Sequence, residues 1–202
     1  GRSGNRPDFP ADIQSMPLQL LDLVWPKAGL GGIASGRIEY RWDGAPAGTA
    51  NLRVRGLSRA GLVLASKPID VGVNAVLGGG RAALRAVAVS DGKTIGRAQG
   101  RFSPLGRGPI MAELMNAPML LQLRYAGPAD TLWRLSGVET FDLSGPIAVG
   151  ADTGGRLADP QIRGSVKADG ARLESPVTGT VVERIQAKGR FAGPNRIEVG
   201  RV

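Results

Sequence analysis

The side chains best suited to chemistry in this chain are its carboxylates, because the sequence holds neither His nor Cys. Without His there is no ordinary general base and no neutral imidazole ligand, and a Ser-His-Asp triad is impossible. Without Cys there is no thiolate nucleophile, zinc thiolate site or disulfide. Glycoside hydrolysis would need two converging carboxyl groups. The 17 acids are dispersed, and Glu39, Asp43, Glu139 and Asp142 each read as outward strand or turn residues. The expectation is a protein that is not an enzyme and carries no cofactor or metal.

The basic excess is the other candidate for chemistry: 26 Lys and Arg against 17 Asp and Glu, a formal charge of +9. Nucleic-acid binding would use clustered bases interleaved with aromatic rings. Here the bases stand singly, and Arg53-Val54-Arg55 is the densest run. Arg37, Arg41, Arg53 and Arg55 form a stripe only if their strands are neighbours, with two Tyr and four Phe available for stacking. Nucleic acid is therefore not an expected partner. The scatter fits a solvated charged surface.

The elements that carry these charges alternate. In Arg37-Ile38-Glu39-Tyr40-Arg41-Trp42-Asp43 every second residue is apolar, and Asn51 to Arg55, Leu121 to Tyr125, Gln161 to Lys167 and Arg184 to Phe191 follow the same rule. A period of two marks a half-buried strand with one wet face. Ile69 to Leu77 and Ala82 to Val89 predict two strands joined by Gly78-Gly79-Gly80. Further turn signals stand at Gly31-Gly32, Gly44 to Gly48, Ser66 to Pro68, Asp91-Gly92, Gly127-Pro128, Gly145-Pro146, Gly154-Gly155, Asp169-Gly170 and Gly193-Pro194. Short helices are expected over 17–24, bounded by Pro17 and Pro26, and over Ile110 to Met115, with a single turn at Leu132 to Leu135. No apolar run approaches the ~18 residues of a membrane-crossing helix.

About a dozen strands without crossover helices predict an antiparallel sheet, some 50–60 Å across at ~4.8 Å per strand. Sheets of that size curl or close. The expected division is a linker over 1–16 from a preceding unit, a β-groove segment over 17–110 with its short helix, and a continuous second β-groove segment over 111–202.

Arg124 to Leu135 followed by Phe141 to Ile147 resembles the TamB family. So does Gly155-Arg156-Leu157-Ala158-Asp159-Pro160-Gln161-Ile162-Arg163-Gly164, close to that family's recurring G-x-L-A-x-P-x-(apolar)-x-G phrase. Gly170-Ala171-Arg172-Leu173 with Thr178-Gly179-Thr180 is similar to its strand entry, and Gly32 to Ile38 is a looser version. The resemblance implies a mainly β fold, an elongated antiparallel sheet curled into an open U-shaped groove (a β-taco), with one to three short helices. It implies a translocation and assembly module subunit, related to AsmA-like and other bridge-like lipid transfer proteins. Such proteins lie in the periplasm, are anchored in the inner membrane of Gram-negative bacteria, and work with an outer-membrane TamA-like protein of the Omp85 class.

The groove expected from these strands is lined by Ile38, Tyr40, Trp42, Leu121, Leu123, Tyr125, Ile162, Val166, Ile185 and Phe191. Phospholipid acyl chains are its expected cargo, gaining about 0.8 kcal/mol per methylene removed from water. The alternative is a chaperone-like module that binds unfolded outer-membrane or autotransporter strands in the same groove or at an open edge. For any one of these residues, packing in a closed core is the plainer role.

Overall fold

The computed structural model describes residues 8–23, 29–42, 44–61, 64–191 and 197–200. The alternation becomes strands: β1 Asp8–Pro17, β2 Leu30–Trp42, β3 Pro46–Arg59, β4 Ile69–Gly78, β5 Arg81–Ser90 and β6 Lys93–Phe102, then β7 Met119–Pro128, β8 Asp142–Ser144, β9 Pro146–Arg156, β10 Asp159–Glu174, β11 Val181–Phe191 and β12 Ile197–Gly200. They form one antiparallel sheet in the order β1-β2-β3-β4-β5-β6-β7-β9-β10-β11-β12, with β8 pairing β10 off this path. The ends β1 and β12 do not pair with each other, so the sheet is open rather than a closed barrel. Gly79 and Gly80, at φ +58° and +70°, make the tight turn that the triple glycine predicts between β4 and β5.

The helices are α1 Ile110–Asn116 and α2 Ala129–Ser136, and the expected helix over 17–24 is a short 3₁₀ segment, Leu18–Leu23. The boundary expected at 110/111 falls inside α1, while β6 and β7 on either side of it are neighbours in the sheet.

Two expectations change. Residues 8–16, expected within a linker, belong to β1, whose Ala11 and Ile13 stand opposite Ile38 and Gly36 of β2. Sparse apolar residues between prolines hide a strand whose hydrogen bonds are completed by its neighbour. Three expected turns also lie inside strands. At Gly31-Gly32 the β2–β3 pairing slips by one residue, with Gly32 at φ +121°. At Asp169-Gly170 the β10–β11 pairing slips, with Gly170 at φ +73°. Gly154-Gly155 is paired within β9 opposite Pro160 and Gln161, and the chain reverses at Leu157-Ala158. A glycine with positive φ can bulge a strand as readily as end it. Gly193-Pro194 and Asp43 lie outside the described residues.

Candidate functional site

Directly opposed residues of an antiparallel pair share a face, so the register assigns every strand position to one side of the sheet. One row runs Ala34–Val54–Val71–Ala88–Gly96–Tyr125–Val149–Val166–Gly189. The next runs Gly36–Leu52–Val73–Ala86–Ala98–Leu123–Ala151–Gly164. Beside it lies Ile38–Ala50–Ala75–Leu84–Gly100–Leu121–Thr153–Ile162, and then Tyr40–Gly48–Leu77–Ala82–Phe102–Met119. Thr153 and the hydroxyls of Tyr40 and Tyr125 are the only polar side-chain groups in these four rows, and no residue in them is charged. Trp42, opposite Pro46, and Ile185, beyond Ala187 in β11, continue the same side. Phe191 holds the β11 position opposite Ile197 of β12. The other nine expected lining residues, drawn from strands far apart in sequence, thus fall on one side of one sheet.

The other side carries the charges, and with them the exposed Val76, Val87 and Leu120. Its central row runs Asp12–Arg37–Asn51–Asn74–Arg85–Gln99–Gln122–Asp152–Arg163. Glu39, one of the candidate acids, pairs with Arg37 at 3.1 Å on this wet surface. Among the described residues no group of three or more acids is placed to hold a metal ion.

The apolar face is covered at two places. At one strand end α1 and the segment before it bring Leu105, Ile110, Leu114 and Ala117 onto Phe102, Met119, Leu77, Ala82, Leu84 and Leu121. This piece is held by Glu113, whose carboxylate accepts from Gly106 and Gly108 N–H at 2.6 and 3.0 Å, and by Ala158 N–H donating to the Met115 carbonyl. At the opposite strand end α2 lays Ala129, Leu132 and Leu135 onto Ile69, Ile95, Tyr125 and Ile147, with Leu57 of β3 and Ala168 of β10 joining the cluster. The two helices therefore sit at either end of β7 on the same side. Between them Leu123, Ala86 and Ala98 belong to neither cluster and stay half-buried, while Ala151 beside them is buried.

The anchoring of α2 was not legible beforehand. Asp142, expected to point outward, forms a two-point ion pair with Arg134 at 2.7 and 3.0 Å, and both side chains are less than a quarter exposed. Arg134 also donates to the Ala65 carbonyl, and Arg59 at the end of β3 reaches the Leu135 and Ser136 carbonyls at 3.4 Å. Trp133 donates to the Phe141 carbonyl. Helix α2 is thereby tied both to the β3–β4 connection and to β8. Tyr125, 6% exposed, donates from its hydroxyl to the Pro128 carbonyl. Burial raises its pKa above the usual phenol value, with the adjoining Thr131 hydroxyl opposing and Asp130 adding to the rise.

Two surface hollows border the charged side. One of about 510 Å³ is bordered by Asn74, Val76, Arg85, Gln99, Leu120 and Gln122, and one of about 420 Å³ by Arg97, Arg124, Gly150 and Lys167.

Comparison with known proteins returns no matching family model, no similar curated protein and no similar solved structure. What the chain itself defines is a two-faced, open antiparallel sheet with a charge-free aliphatic side.

Proposed function

We propose that this chain is a periplasmic segment of a TamB-like protein whose apolar sheet face forms a trough for phospholipid acyl chains moving between the inner and outer membranes. The observation that carries the proposal is the set of four register rows with no charge in them, whose middle stretch around Leu123 lies between the patches that α1 and α2 cover. A face of this composition gains from covering by hydrocarbon in proportion to the area removed from water. Its long, mostly aliphatic rows suit a chain-like occupant and offer few polar groups for recognising a sequence or a stereocentre. In this reading the sheet bends about the apolar side, as large twisted sheets do, with α1 and α2 over its two rims. Headgroups then remain at the wet mouth. The parent protein is anchored in the inner membrane and meets a TamA-like outer-membrane partner, as the sequence resemblance implies.

The open sheet supports a second reading. Among the described residues β1 and β12 are paired on one side only, and an edge strand can accept an extended, alternating outer-membrane strand. Purification without detergent followed by solvent extraction separates the two. Bound phospholipid that disappears in Val166→Asp, with β content unchanged, supports the trough. Crosslinking to unfolded barrel protein with no extractable lipid supports the chaperone. Absence of lipid, together with unchanged envelope permeability when the parent protein carries Val166→Asp at normal level, refutes the transport reading.

A further inference from the structure

We infer that the polar face carries a phosphate-binding site over β9, between two pairs of like charges. On β6 and β7 Arg97 stands directly opposite Arg124; on β10 and β11 Lys167 stands directly opposite Lys188. Opposed like charges on neighbouring strands oppose sheet formation, and this sheet contains two such pairs close together. Between them runs β9, which offers Ala148 and Gly150 here, with Asp152 two residues further on the same side: Ala148 pairs with Lys167, and Gly150 pairs with both Arg124 and Ser165. The result is a trench two strand spacings wide, roughly 10 Å, with cations on both walls. It coincides with the hollow of about 420 Å³ bordered by Arg97, Arg124, Gly150, Ser165 and Lys167.

The acids in reach are Asp152, Asp169 and Glu198, against the five bases Arg97, Arg124, Lys167, Lys188 and Arg190, and Glu198 stands opposite Arg190. Asp152 accepts from Arg124 at 3.0 Å. Among the described residues Arg97, Lys167 and Lys188 have no ion-pair partner. A phosphate group fits this arrangement better than a carboxylate. Its oxygens point in several directions, so a guanidinium from one wall, an ammonium from the other and the Ser165 hydroxyl can bond it together. Phosphate could come from a lipid headgroup or from a soluble phosphate, and both would use the same groups. The site does not depend on what occupies the apolar face.

The test uses the whole chain. Inorganic phosphate is titrated while backbone amide resonances are followed, and vesicles of phosphatidylcholine with or without phosphatidylglycerol are tested separately. Saturable shifts centred on Arg97, Arg124, Gly150, Ser165 and Lys167 are expected. An Arg97→Gln/Lys167→Gln double variant should weaken phosphate by roughly three- to tenfold, the range for a few partly exposed charge-assisted contacts. Replacing the distant Arg53 and Arg55 by Gln should leave affinity unchanged. Competition between phosphate and phosphatidylglycerol vesicles assigns the headgroup as source; phosphate binding without vesicle binding assigns a soluble phosphate. A merely structural role for Arg97 and Lys167 predicts a lower melting temperature in the double variant, whereas relief of repulsion predicts an equal or higher one at low salt. Shifts spread over all basic residues, or affinity unaltered in the double variant, would overturn the site.

Discussion

Replacing Leu123 by Asp tests whether the apolar face is open. Leu123 is half-buried on β7, between the patches covered by α1 and α2. Complete burial of a leucine contributes about 1.5–3 kcal/mol, so a half-buried one loses about 1 kcal/mol when replaced. A carboxylate that still reaches water adds little further cost, giving roughly 1–2 kcal/mol in all. At about 2–4 °C per kcal/mol for a chain of this size, the melting temperature should fall by roughly 2–8 °C. Tyr125, two residues along the same side, is the internal standard. It is 6% exposed beneath α2 among Ile69, Ile95, Ala129 and Ile147. A carboxylate there loses the packed ring and has no water, which costs upwards of about 4 kcal/mol. Thermal melts followed by far-ultraviolet circular dichroism, with a solvatochromic apolar dye reporting on the face, measure both variants. Equal damage from Leu123→Asp and Tyr125→Asp would mean that the face is sealed by its own chain, and the trough reasoning would fail.

Two further outcomes follow from the anchoring of α2. Asp142→Asn should destabilise by about 1–3 kcal/mol, since it strips the charge partner from a guanidinium that is mostly screened from water. A double-mutant cycle with Arg134→Met checks this: most of the loss should vanish once both partners are apolar or neutral, and additive losses would contradict a coupled pair. The phenol of Tyr125 has its pKa raised in the fold by burial. The folded state thus favours the neutral phenol; its contribution is complete below the unfolded value of 10.0 and is lost as pH rises through the higher folded value. Denaturant melts should therefore show a loss of stability above about pH 10, and Tyr125→Phe should flatten that loss.

Alternation made the sheet legible because a strand with one wet face must repeat every two residues. Ile38 and Tyr40, or Leu121 and Leu123, could be placed on a common side of their own strands from spacing alone. That distant strands join the same rows depends on register, which Gly-rich strands specify weakly. Gly32, Gly155 and Gly170 announced a need for positive φ, but a bulge and a turn make the same demand of the residue. The short strand β8 was hidden because its partner, β10, is not its neighbour in the chain. For the same reason Asp142 looked like a solvent residue: its cation, Arg134, comes from a helix that only the fold brings alongside. The like-charge pairs Arg97–Arg124 and Lys167–Lys188 likewise exist only once strands are aligned.

Along the main path of the sheet, spatial order follows chain order from β1 to β7 and again from β9 to β12. Each strand can then be templated by the one made just before it, and loop-closure costs stay small throughout. A polypeptide appearing from its amino terminus could therefore zip up progressively without waiting for distant segments. Two steps depart from that rule. Strand β8 must hold until β10 arrives, and α2 cannot lock against Asp142 until the chain has passed it. Completion of that clasp would be a late event, fastening a sheet whose earlier hairpins are already built.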